Sequence, residues 1–168
     1  VLTSMSGKTI EIKSTDAEGR LLQSDAVHYA QVEYSPDVLI DVATLTGSVG
    51  RAVGPHYAGL FSRHDDLAVQ LLDASAASGE RLWRLPLDDF YFEDIKSDIA
   101  DVINGGKTGA GASTGAAFIG TFVAEEQVWA HLDIAGVDAT DEPLPTMPKG
   151  STGWGVRVLD EYLRRHHE

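Results

Sequence analysis

Two acidic residues near the start of the sequence are the first candidates for chemistry. Asp16 and Glu18 are separated by one small residue, Ala17, in a polar turn that follows a short strand pattern. In an extended segment two such carboxylates project to the same side, where they could share or bridge hard cations. Arg20 adds a fixed positive charge beside them. The spacing therefore indicates a candidate cation site.

The same residues also fit a purely structural interpretation. Thr15 and Glu18 have the Thr-x-x-Glu spacing of a capping box, in which two side chains cap the start of a helix. Gly19 would then lie just inside the first turn, where glycine costs about 0.5–1 kcal/mol relative to alanine. The spacing alone leaves the cation site and the helix cap equally open.

A second motif runs from Gly111 to Gly115 and matches the G-x-S-x-G turn of serine hydrolases, with Ser113 as the nucleophile. That turn requires a buried strand directly upstream, whereas the preceding segment is polar and rich in glycine. The alternative is that Ser113 or Thr114 caps the helix that follows. The general base of a serine hydrolase would be one of three histidines: His131, His166 and His167.

His131 and Asp133 lie two apart in an apolar strand pattern and therefore on the same face. Such a pair could ligate a metal, but a lone histidine in an apolar strand is more often a hydrogen-bonded core residue. We interpret both residues as structural.

The composition narrows the possible partners. The 168 residues carry 13 Lys and Arg against 26 Asp and Glu, for a formal net charge of −13. This charge disfavours nucleic acid and anionic membranes as partners. The sequence has no cysteine, so a metal would take carboxylate, histidine or backbone oxygen ligands. No apolar run approaches the length of a membrane span or a signal peptide, and we expect a cytoplasmic protein.

Strand patterns alternate with helix patterns along the chain, which predicts an α/β fold around a mostly parallel sheet. A nearly continuous apolar run from Val38 to Ala43 is typical of a buried parallel strand. The other predicted strands cover 8–13, 57–61 and 128–135. The predicted helices begin near 22, 65, 88, 114 and 154.

One segment resembles a known family signature. Residues Ser14 to Leu21 read S-T-D-A-E-G-R-L, close to the N-T-D-A-E-G-R-L motif of the leucyl aminopeptidase family, the cytosol aminopeptidases. The resemblance continues along the chain in the same order, through segments 43–47, 83–87, 129–136 and 150–153.

The resemblance implies a metal-dependent aminopeptidase that releases N-terminal amino acids from peptides with a free N-terminus. Asp16 and Glu18 would be ligands in a site for two divalent metal ions, manganese or zinc, which activate a water molecule for attack. Arg20 would be catalytic and hold a bicarbonate as general base. The substrate pocket would include Thr44, Leu45, Gly47 and Ala135. Family members are homo-hexamers in the cytoplasm.

The resemblance also implies what this sequence lacks. The family's other metal ligands, a lysine and two aspartates, and its second catalytic lysine precede this motif. We therefore expect residues 1–168 to be the C-terminal part of a catalytic domain, a three-layer α/β/α sandwich around a mixed, mostly parallel sheet that is incomplete here. Alone, the chain should be nearly inactive, and a scaffold of this fold without catalysis stays an alternative. Ser14 in place of the family's usual asparagine could alter the turn that aims Asp16 without removing a ligand. Asp138, near a position that is often apolar in the family, leaves the preference for leucine open.

Overall fold

The computed structural model describes residues 1–108, 111–145 and 147–168. Its strands are β1 (Leu2–Thr3), β2 (Thr9–Glu11), β3 (Val38–Ala43), β4 (Ala58–Phe61), β5 (Leu82–Arg84), β6 (Val102–Ile103), β7 (Val128–Asp133), β8 (Ala139–Thr140) and β9 (Gly150–Ser151). Its helices are α1 (Glu18–Tyr34), α2 (Gly47–Val53), α3 (Asp65–Ser78), α4 (Asp89–Asp94), α5 (Gly111–Gly120) and α6 (Val156–His166).

The main sheet has four strands in the order β3–β7–β4–β5. β3 pairs with β7 in parallel over six residues, from Val38 opposite Val128 to Ala43 opposite Asp133. β4 is parallel to β5 and antiparallel to β7, so the sheet is mixed and mostly parallel, as the sequence predicts. A second sheet, β1–β2–β6, pairs β2 with β6 in parallel.

Helices cover both faces of the main sheet. On one face, Ala130 and Leu132 of β7 pack with α3 and α6 in a core that includes Leu71 and Tyr162. On the other face, Trp129 of β7 packs with residues of α1 and α5. Alternate residues of a strand point to opposite faces, so β7 feeds both cores. The α/β/α layering predicted from the sequence is confirmed.

Local signals in the sequence determine where the helices end. α1 ends at Tyr34, and the next residue, Ser35, adopts φ 43° directly before Pro36. α3 ends at Ser78, and the next residue, Gly79, has φ 76°, a conformation that glycine adopts without strain. The first turn of α3 carries Asp65 and Asp66, where negative charge favours a helix N-terminus.

Four short strands, β1, β6, β8 and β9, have only two residues each and escape pattern analysis. α5 begins at Gly111 rather than at the predicted position 114, and it ends at Gly120. The glycine-rich segment from Asn104 to Gly115, here called the glycine loop, includes positions 109 and 110, which lie outside the described residues. No helix in the described ranges is long and apolar enough to cross a membrane.

Candidate active site

A cavity of about 260 Å³ lies at the carboxyl ends of two pairs of parallel strands. The turn after β2, the loop after β3 and the glycine loop after β6 all contribute residues to its wall. Ligands of open α/β sheets bind at this end of the strands. The geometry therefore makes this cavity the leading candidate for a site.

Four of the seven predicted site residues line the cavity: Asp16, Arg20, Leu45 and Gly47. Glu18, Thr44 and Ala135 do not line it. Glu18 is exposed at the first position of α1, and Thr44 is exposed directly after β3. Ala135 is half-buried, two residues after β7, beside a small apolar cluster.

The two carboxylates lie on a tight turn. Thr15–Ala17 form one turn of 3-10 helix, and Glu18 begins α1 directly after it. Neither Ser14 nor Ala17, which precede these two helical segments, makes a side-chain capping bond. The capping-box interpretation is therefore wrong, because Thr15 lies inside the helical turn. The exposed carboxylates of Asp16 and Glu18 stay available to a ligand.

Arg20 is the buried member of the signature, with 9% of its surface exposed. Its Nη1 donates to the Asn104 carbonyl at 2.6 Å, and its Nη2 donates to the Gly111 carbonyl at 3.3 Å. Burial lowers the pKa of the guanidinium below its ordinary value, and the charge of Asp133 partly offsets this effect. The backbone carbonyls thus fix a buried cation on the cavity wall.

Asn104 is a residue that sequence reasoning missed. It is fully buried, and its Oδ1 accepts from the backbone N–H groups of Lys13 and Ser14 at 2.9 and 3.1 Å. Its Nδ2 donates to the Ser14 carbonyl at 2.6 Å. The only local signal is its position before a glycine pair, since its partners lie about 90 positions away in sequence.

Asp133 holds the loop after β3, which forms another part of the cavity wall. This fully buried carboxylate accepts from the Thr46 hydroxyl at 2.6 Å and from the Leu45 backbone N–H at 3.1 Å. It also accepts from the Ala135 N–H at 3.3 Å. One side chain therefore holds both segments that the family resemblance assigns to substrate binding.

The glycine loop is held by another buried carboxylate. Asp94 accepts from the backbone N–H groups of Lys107 and Thr108 at 3.1 and 3.0 Å. A Cβ at Gly106 would approach Asp94 Oδ2 to 2.6 Å and the Thr114 Cγ2 to 2.7 Å. Only glycine fits there without a shift of its neighbours.

His131 is fully buried and makes a hydrogen bond from Nδ1 to Asp41 Oδ1 at 2.6 Å. The other Asp41 oxygen accepts from Trp129 Nε1 at 2.7 Å. Burial lowers the pKa of His131, but the charge and hydrogen bond of Asp41, together with Asp133, outweigh burial and raise it overall. These contacts agree with the structural interpretation of His131 and Asp133.

The serine hydrolase alternative finds no support in this geometry. Ser113 is the third residue of α5 and is buried, and the described residues between β6 and α5 form no strand. His131 is bound to Asp41, and no hydrogen bond among the described residues joins Ser113 to a histidine. Within the described residues, the Gly111–Gly115 motif therefore lacks the upstream strand and the histidine base that a serine hydrolase requires.

The turn that carries Asp16 and Glu18 offers oxygen ligands to a metal ion. Asp16 and Glu18 offer the hard oxygen ligands that divalent cations such as Mn²⁺ prefer. Within residues 1–108, 111–145 and 147–168, no group of three or more histidine and carboxylate side chains could hold a metal ion. The residues present thus fit part of a coordination shell.

Comparison with known proteins identifies the sequence family. The model of the cytosol aminopeptidase family, catalytic domain, matches residues 1–160. A probable cytosol aminopeptidase of Rickettsia bellii is 49% identical over 170 residues, which cover 100% of this chain and 34% of that protein. A probable cytosol aminopeptidase of Chlorobaculum tepidum is 51% identical over 164 residues, with 98% and 32% covered. The chain thus spans about a third of the length of the curated relatives it matches.

Two solved structures share the fold. A mutant of tomato leucine aminopeptidase superposes with a TM-score of 0.90 at 47% identity, over 97% of this chain and 31% of that one. The bottromycin maturation enzyme BotP in complex with Mn has a TM-score of 0.90 at 38% identity, over 96% and 36%.

Proposed function

This chain belongs to the cytosol aminopeptidase family, and from that premise we propose that it supplies part of the active site of a metal-dependent aminopeptidase. The substrates are peptides with a free N-terminus. The observation that carries the proposal is one cavity in which Asp16 and Arg20 of the signature meet Leu45 and Gly47. A candidate metal ligand, a buried cation and a proposed substrate-binding loop therefore lie together at the carboxyl ends of the strands.

Asp16 and Glu18 are the proposed metal ligands in this chain. Two divalent cations, manganese or zinc, would lower the pKa of a coordinated water and polarise the scissile carbonyl. The described residues supply only two such carboxylates at the turn, so the other ligands come from outside them. Residues 1–168 are accordingly proposed as the C-terminal part of a catalytic domain, nearly inactive alone.

Arg20 is the proposed catalytic residue. Its guanidinium is held by two backbone carbonyls and lines the cavity, so it is set in place before any ligand arrives. A fixed, buried cation of this kind can hold a small anion such as bicarbonate, which would accept the proton of the attacking water. No reorganisation of the side chain is needed for this role.

The loop after β3 is the proposed wall for the first residue of the peptide. Leu45 and Gly47 line the cavity, and Asp133 fixes Leu45 through its backbone N–H. Thr44 and Ala135 flank this wall from the ends of β3 and β7. Family membership further suggests a cytoplasmic homo-hexamer, which a mass measurement in solution would test.

The experiment uses protein expressed from the complete gene that encodes this chain. We expect hydrolysis of leucine p-nitroanilide with added Mn²⁺, loss of activity with a chelator, and no hydrolysis of the N-acetylated substrate. Asp16→Asn should lower kcat/KM by at least about 100-fold. Asp101→Asn, at an exposed carboxylate that binds Thr9, is the matched control and should retain activity.

Ser113→Ala separates the two catalytic classes. The metal mechanism predicts that this variant keeps its activity. Hydrolysis that survives the chelator and Asp16→Asn but is lost in Ser113→Ala would contradict the proposal and support the serine hydrolase.

A further inference from the structure

We propose that Asn104 is a positioning residue that holds the Asp16 turn and the Arg20 guanidinium in one fixed arrangement. The inference rests on the proposed function and assigns a role that the family signature does not contain. Asn104 is the first residue after β6, and it lies between the two groups on the cavity wall.

The first half of the arrangement is the side chain of Asn104. Its amide makes three hydrogen bonds to the backbone of Lys13 and Ser14, at 2.9, 3.1 and 2.6 Å. The Asn104 backbone N–H also donates to the Glu11 carbonyl at 3.1 Å. The chain leaving β2 is thereby fixed in register directly before the turn that carries Asp16.

The second half is the backbone carbonyl of Asn104. It accepts from Arg20 Nη1 at 2.6 Å, the shorter of the two bonds that hold the guanidinium. A movement of the Asn104 backbone would therefore displace both the candidate ligand turn and the buried cation. Asn104 therefore joins the turn that carries Asp16 to the side chain of Arg20 in α1.

The chemistry of the amide explains why asparagine is needed. The contact with Ser14 requires an acceptor for its N–H and a donor for its carbonyl on the same side chain. Aspartate keeps the acceptor but brings a second oxygen against the Ser14 carbonyl, with no proton between them. Alanine leaves three partly buried backbone groups of Lys13 and Ser14 without this partner.

The test compares Asn104→Asp and Asn104→Ala with Gln31→Glu, in protein expressed from the complete gene. Gln31 is a matched control, because its amide also makes three backbone bonds, to Val27, Phe122 and Ala124, and it does not line this cavity. The measurements are the Mn²⁺ dissociation constant by calorimetry, the thermal midpoint and the NMR signal of Arg20 Nε–H without metal.

We expect all three variants to lower the thermal midpoint, because each loses partly buried hydrogen bonds to the backbone. Only the two Asn104 variants should weaken Mn²⁺ binding, by about 10–100-fold, which is the usual effect of losing a partner behind a metal ligand. They alone should also shift the Arg20 signal. The added negative charge of Asn104→Asp would by itself strengthen cation binding, so a weaker affinity in this variant reports geometry.

The measurements distinguish a failure of this inference from a failure of the proposed function. If the parent binds Mn²⁺ and the Asn104 variants bind it as tightly as Gln31→Glu does, this inference is overturned and the proposed function stands. An Arg20 signal that is unchanged in both Asn104 variants also overturns it. A parent that binds neither Mn²⁺ nor Zn²⁺ in the same calorimetry overturns the proposed function, and this inference with it.

Discussion

Replacing Asp133 by asparagine tests whether one carboxylate holds the substrate loop. Asp133 Oδ2 accepts from the Thr46 hydroxyl at 2.6 Å, and Oδ1 accepts from the N–H groups of Leu45 and Ala135. Asparagine keeps Oδ1 but turns an NH₂ group toward the hydroxyl. The change replaces a bond to a charged acceptor by a neutral one, a difference of about 1–2 kcal/mol.

This loss should appear in two measurements. In protein expressed from the complete gene, the thermal midpoint of Asp133→Asn should fall by about 1–2 °C, which is the conversion of about 1–2 kcal/mol for a chain of the relatives' length. The KM for leucine p-nitroanilide should rise by up to about tenfold, since 1.4 kcal/mol corresponds to a factor of ten in a binding constant. kcat should change less, because Asp133 lies behind the loop and not at the metal ligands.

Asp101→Asn is the matched control for this prediction too. Asp101 accepts from both the N–H and the hydroxyl of Thr9 at 2.7 Å, but it is exposed. Water can replace these bonds, so the midpoint should hardly move. A parent-like midpoint and KM in Asp133→Asn would refute the reasoning, as would an equal loss in both variants.

Two further predictions concern the core around the site. Gly106→Ala should destabilise the fold by about 1–3 kcal/mol, because its Cβ would approach Asp94 to 2.6 Å. Gly105→Ala is the control and should not destabilise the fold, because the nearest neighbour of its Cβ lies at 4.0 Å. Urea unfolding of both variants measures the difference. The raised pKa of His131 means that its pair with Asp41 stabilises the fold fully below about pH 6.5 and loses this contribution as pH rises through the folded-state pKa. The stability gap between parent and Asp41→Asn should therefore be larger at about pH 5.5 than at about pH 9, and an equal gap would contradict a charged pair.

The parts of the fold that carry a local signal could be predicted from the sequence. The apolar run of β3 and the helical period that ends at Ser35 and Pro36 both appear in the structure at the expected places. β6 could not be predicted, because two residues show no period. The start of α5 was misplaced because glycines at a helix N-terminus look like loop residues.

The residues of the candidate site also differ in whether a local sequence pattern reveals them. Asp16, Glu18 and Arg20 share one short motif, so the sequence alone identifies them as a group. The role of Asn104 could not be predicted from the sequence, because it depends on a contact with Ser14 that forms only in the folded chain. The capping box failed for a related reason, since one extra helical turn of three residues moved the start of α1 beyond Thr15.

The hydrogen bonds that assemble the site join residues far apart along the chain. The separations are 84 positions for Arg20 and Asn104, 90 for Ser14 and Asn104, and 87 for Thr46 and Asp133. Closing such loops costs entropy before the contacts repay it, which slows folding. On the ribosome, where about 5–20 residues are added per second, the turn that carries Asp16 can be fixed only after Asn104 is made, and the loop of Thr46 only after Asp133 is made. Asp16 and Arg20 are therefore synthesised before the residue that fixes them, and the site is completed only after Asn104 and Asp133 have followed.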